Sequence, residues 1–138
     1  MTKLNRRERG AAAVEFAIVM PLLMVLMVGI MEFGYAFFIQ ASVSAAARVG
    51  VRYYTINWNS TDSATRLAAI QTAIDMAKSA VPDDTKVTAA TNFSPFCAKD
   101  SETTLVVTYK YGSLTGLFDS MLGSNIIITG KGSMQCGG

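Results

Sequence analysis

The sequence predicts an α+β fold: one long hydrophobic N-terminal helix, then a small head in which a second helix packs on a short antiparallel sheet. Three observations predict it. Between Ala11 and Met31 only Glu15 is charged, and from Phe16 to Met31 no side chain is. Beyond Ile39 the chain becomes rich in Ser, Thr and Ala with scattered charges, as in a soluble domain. The last third carries short β-patterned runs separated by turn residues.

The first element is a helix over residues 11 to about 56. As a helix, its 21-residue stretch from Ala11 to Met31 reaches roughly 30 Å, about the thickness of a bilayer's hydrocarbon core. Met20, Met24, Met27 and Met31 fall at intervals of 4, 3 and 4 and share one face, which Gly34 and Phe38 continue. That face is either lipid-facing filler or an adaptable stripe for packing against neighbouring helices, a use that suits flexible thioethers. Pro21 removes one backbone hydrogen bond and crowds the preceding turn, so it is expected to kink or loosen the helix. Gly29 and Gly34 permit close helix approach but do not form a GxxxG pair. Glu32 is expected at the outer interface, where the span meets water. Arg48 and Arg52, four apart, form a basic stripe, for which solvation is the simpler reading and an acidic neighbour the alternative. Tyr53, Tyr54 and Trp58 are expected to pack where helix and head join.

A loop and a second helix follow. Thr61, Asp62 or Ser63 caps that helix and Pro82 lies beyond its end. Leu67, Ile70, Ile74, Ala77 and Val81 are expected to face a sheet. Strands are predicted at Lys86–Phe93, Thr103–Tyr111 and Asn125–Gly130. In the second, Leu105, Val107, Tyr109 and Tyr111 alternate with Thr104, Val106, Thr108 and Lys110, a half-buried pattern. Leu114, Leu117, Phe118, Met121 and Leu122 lie between the last two strands, as a short helix on the core or an apolar contact patch.

Charge places the chain in a compartment. The net +2 conceals a split: the first ten residues carry +3 and the remainder −1. A basic patch confined to the tail before a first apolar segment is an orientation signal rather than a nucleic-acid surface. It keeps the N-terminus in the cytoplasm and sends the head outside. Cys97 and Cys136 then share an oxidising compartment, where an even count reads as a disulfide. The alternative is two buried free thiols. The absence of histidine removes the commonest general base and metal ligand. No phosphate-cradling glycine loop or cysteine cluster appears. An enzyme is therefore not expected, nor a metal or other cofactor. Matches to glycosylation acceptors at residues 59–61 and 92–94 are of the kind that arise by chance.

The stretch RRERGAAAVEFAIVMPLL, residues 6–23, sets a problem: a carboxylate stands inside an apolar run. A secretory signal peptide would be cut at small residues such as those at 41–47, but these lie beyond the usual range and Glu32 interrupts the approach. A plain signal anchor leaves Gly10 and Glu15 unexplained. The third reading is a leader cut before the apolar core. Gly10, four small or apolar residues, then Glu15 resembles the type IV prepilin peptidase site. The resemblance implies a leader over residues 1–10, cleavage between Gly10 and Ala11 on the cytoplasmic side, and Glu15 as the fifth mature residue. A carboxylate in an apolar helix costs several kcal/mol without a charged partner. Cleavage supplies one, because the freed Ala11 α-ammonium is largely charged at neutral pH and in a filament can meet Glu15 of a neighbouring subunit. The bland reading of Glu15 is an acid favoured at a helix start, worth under about 1 kcal/mol.

Residues 10–38 and 45–54 resemble the TadE-like pseudopilins, minor pilin-like proteins of tight-adherence (Flp, type IVc) pilus systems. The matching positions are Gly10, Glu15, Phe16, Pro21, Glu32, Phe33 and Gly34, then Arg48, Gly50, Arg52 and Tyr53. The last 35 residues resemble the family's closing strand, loop and strand more loosely. Flp major pilins are typically shorter and often have Tyr where this chain has Phe16, so a minor subunit is implied. The expected helix-packing residues are Phe16, Met20, Pro21, Met24, Met27, Met31, Glu32 and Gly34. The domain plan is then a leader (1–10), a long helix (11–56), membrane-inserting in its first half, and an exported head (57–138). Implied partners are prepilin peptidase, the major Flp-type pilin, other minor pilins, the inner-membrane assembly machinery and, before assembly, the membrane. Implied localisation is the bacterial inner membrane, then the pilus. The competing reading is a membrane-anchored assembly factor or tip adhesin that never enters the shaft.

Overall fold

The structure, a computed structural model, describes residues 6–58, 63–94, 97–116, 119–120, 123 and 126–136. In chain order the elements are α1 (Arg6–Asn57), α2 (Ser63–Ser79), a 3-10 turn (Asp84–Lys86), β1 (Val87–Ser94), β2 (Glu102–Lys110) and β3 (Ile127–Gln135). Two compact units divide the chain, Met1–Gly34 and Tyr35–Gly138. The boundary falls inside α1, so the helix from Tyr35 onward belongs to the head's core.

The first unit is helical from Arg6, and the helix continues through Pro21. From Gly10 to Met27 its described side chains are exposed, the three methionines of that span included. By length and composition this helix is apolar enough to cross a membrane. Glu32 departs from expectation. It is 3 % exposed and not without an interacting partner, so it does not project into water.

In the head, the sheet has order β1-β2-β3 with both pairings antiparallel. β2 and β3 pair without interruption from Glu102↔Gln135 to Lys110↔Ile127. β1 pairs with register shifts between Val87 and Ala89 and between Thr91 and Ser94. The predicted alternation in β2 is present: Leu105, Val107 and Tyr109 are buried, and Thr103 with them. β3 starts two residues later than expected and runs five residues past Gly130, to Gln135. Glycine ordinarily weakens a strand, but inside one it marks close approach of another backbone. A Cβ on Gly132 would sit 2.6 Å from the Ala47 carbonyl, and one on Gly130 would strike the Val43 carbonyl. α1 therefore lies with its backbone directly on β3.

The core face of α1 is made by Ile39, Val43, Ala46, Ala47, Val51 and Tyr54, all buried, at the spacing of a helix docked along one side. Gly50 sits on the same face, where a Cβ would come within 2.9 Å of the Ala73 carbonyl and 3.0 Å of the Ala77 Cβ. α2 thus meets α1 through small residues. Its buried positions are Ala69, Ala73 and Ala77, with Ile70 and Ile74 half-buried, and Val81 just past its end is buried too. Leu67, expected on this face, is 67 % exposed. Periodicity alone favoured the larger apolar residues, whereas the close approach to Gly50 requires alanines. Thr61 and Asp62, proposed as caps, lie outside the described residues, as do Leu117, Phe118, Met121 and Leu122. Leu114 is exposed, and the Asp119 carboxylate accepts from the Ser113 N–H at 3.2 Å.

Gly130→Val is expected to destabilise the head by ~2 kcal/mol or more, through overpacking against the Val43 carbonyl. Lys131→Ala, on the exposed side of the same strand, should stay within about 0.5 kcal/mol. Thermal unfolding of the full chain in detergent checks both.

Candidate functional site

Two sets of residues carry the functional expectations, one at the start of α1 and one in the head. In the first unit Gly10 is exposed, and a Cβ built on it would meet no atom within 4 Å. Its φ is not positive, since the positive-φ glycines are Gly116 and Gly123. Neither space nor backbone conformation within the chain requires glycine there, although glycine inside a helix costs about 0.5–1 kcal/mol relative to alanine. Gly29 and Gly34 are equally open. Ala11 and Glu15 are exposed and one helical turn apart. Glu15 stands between the exposed Val14 and Phe16, and among the described residues it takes no ion pair. The arrangement offers a partner one unpaired carboxylate inside an apolar surface.

The head set is built around the last turn of α1. Tyr54 is buried and stacks on Phe93, with ring centroids 3.9 Å apart and planes at 27°. Its hydroxyl accepts a hydrogen bond from the Cys97 N–H at 3.4 Å. Cys97 and Cys136 are disulfide-bonded, with Cα atoms 5.6 Å apart, and Cys136 is buried. The Cys136 N–H donates to the Ser101 carbonyl at 2.7 Å. One cluster thus joins the end of α1, the end of β1, the turn at 98–101 and the end of β3. Tyr53 and Trp58 are half-buried against the core, as expected at this junction. Tyr54 packs at this junction as expected, and its stacking on Phe93 and its bond from the Cys97 N–H are the details the sequence did not show. The interval from Val43 through Ala47 and Val51 to Tyr54 puts it on the core face of α1. The Thr55 hydroxyl donates to the Arg52 carbonyl at 3.0 Å and lies 3.2 Å from Met134 Sδ, adding a polar tie to β3.

Arg48 and Arg52 are exposed, on the side of α1 away from this cluster. Elsewhere in the head, burial holds the Tyr109 phenol above its ordinary value, with Tyr35 and Asp83 acting in the same direction. The Thr85 hydroxyl, hydrogen-bonded to Asp83, holds that carboxyl below the usual range.

Replacing both cysteines by serine is expected to cost the head up to ~4 kcal/mol, the chain-entropy value for a loop of 39 residues. Tyr54→Ala should cost ~3–5 kcal/mol, and Tyr54→Phe about 1 kcal/mol through its lost hydrogen bond. Unfolding midpoints measured without reductant, against the disulfide-bonded parent, order the three variants.

No curated protein and no solved structure matches the chain. Residues 10–52 match the family model described as TadE-like protein. The matched segment begins at Gly10, takes in Glu15, the methionine stripe and Glu32, and ends among Gly50 and Arg52 before α2 and the sheet. Over those residues the chain is similar to the TadE-like family, and the matched segment lies on an N-terminal helix long and apolar enough to cross a membrane.

Proposed function

We propose that the chain is a minor pilin-like subunit of a Tad/Flp-type pilus, inserted in the bacterial inner membrane with its N-terminus in the cytoplasm and cut between Gly10 and Ala11 by prepilin peptidase. Hydrolysis of that peptide bond leaves a carboxylate on Gly10 and an α-ammonium on Ala11. The processed subunit is held to the major Flp-type pilin and other minor pilins through residues 11 to about 54, and it acts structurally rather than as a catalyst. The observation that carries this reading is the pairing, among the described residues, of a glycine that no neighbouring atom requires with a carboxylate five residues on that has no ion-pair partner. A peptidase that must admit the backbone at residue 10 accounts for the glycine. A neighbouring subunit's ammonium accounts for Glu15, since an isolated charge among apolar side chains is costly until paired. The family match begins at that glycine.

Intact mass spectrometry of the protein from its native host tests the reading, with a mature chain beginning at Ala11 expected and one beginning at Met1 overturning it. Gly10→Val is expected to retain the leader. Glu15→Ala should be processed yet fail to enter filaments, and normal filament incorporation of that variant would remove the pairing argument.

A further inference from the structure

Within the head, α1 has a second face. Phe38, Ala41, Ala45, Arg48 and Arg52 recur at intervals of 3, 4, 3 and 4, the spacing of a helix–helix seam, and all five are exposed. Phe37, Val49 and Ile56 flank them at 72 %, 45 % and 67 % exposure. In sequence the same intervals continue back through Gly34 to Met31. This face lies on the reverse of the one that packs on β3. It is apolar along its length except for two guanidinium groups near its centre line.

We propose that this seam docks a helix of a different protein, one that presents carboxylates opposite Arg48 and Arg52. Charge selects the occupant. No Asp or Glu occurs in α1 after Glu32, and among the described residues neither arginine has an ion-pair partner. A guanidinium enclosed by apolar neighbours must be paired, and carboxylates fit its fork of donors. A second copy aligned in register sets Arg48 and Arg52 against their own counterparts, a like-charge contact that costs affinity. A lipid surface is a poorer match, because helices lying in a membrane interface carry basic residues on the polar face, whereas these stand within the apolar one. Ala41 and Ala45 are short enough to let a partner backbone come close. The proposal holds for the processed and the unprocessed chain alike, so its failure is separate from failure of cleavage at Gly10.

The test uses the full chain in nonionic micelles and two labelled synthetic helices of about three heptads. They share a leucine seam and differ only in having Glu or Lys at the two positions facing the arginines. The Glu helix is expected to bind at least ~10-fold more tightly by fluorescence anisotropy, and the Arg48→Glu/Arg52→Glu chain to prefer the Lys helix. Equal binding of both helices, or an unchanged preference in the reversed chain, overturns the proposal. So does copy-to-copy crosslinking through Ala45→Cys that excludes the Glu helix. Loss of the preference when phosphatidylglycerol is added to the micelles overturns it in favour of an anionic lipid.

Discussion

The head depends on one contact, the backbone of α1 laid against the backbone of β3. Side chains ordinarily keep a helix about 10 Å from a sheet, the spacing at which layers pack. Here two glycines on β3 remove that spacer, and the Val43 and Ala47 carbonyls occupy the place where their side chains would be. Everything else in the head is arranged around this closeness. The buried residues of α1 beside the contact are valine and alanine, α2 approaches through alanines, and Gly50 accepts the α2 backbone. Aromatic bulk is placed at the end of the contact, where Tyr54 stacks on Phe93 and the disulfide closes the far edge.

Glycines therefore play two opposite parts in this chain. Gly50, Gly130 and Gly132 are required by atoms already present, and any side chain there meets backbone or core. Gly10, Gly29 and Gly34 have empty space around them. No described atom of the chain requires glycine at these three positions. The contrast separates glycines that the fold requires from glycines that it does not, and it does so without reference to sequence pattern.

Much of this was legible in the sequence. The long helix, the second helix, three strands and the inward alternation of β2 follow from spacing and turn residues. The disulfide follows from cysteine parity and the charge of the N-terminal tail. What was not legible shares one cause. Periodicity ranks residues by apolar size, so it set Leu67 in the core and ended β3 at Gly130. The structure buries Ala73 and Gly132 instead, because the distance between backbones decides which sizes fit. A lone acid after an apolar run usually meets water, and nothing local in the sequence announces the burial of Glu32. At the candidate site, the Gly10–Glu15 spacing was visible at once. That Gly10 is sterically free could be learned only from coordinates.

The α1–β3 contact also joins distant parts of the chain. The Gln40 side chain that donates to the Thr129 carbonyl at its edge does so across 89 residues. Closing so long a loop is slow compared with winding a helix. Without the last strand, the strip of α1 around Val43 and Ala47 loses the surface that lies against it, while Gly50 still faces α2 and β2. The strand that closes the head is therefore also the one whose release uncovers the backbone of its principal helix.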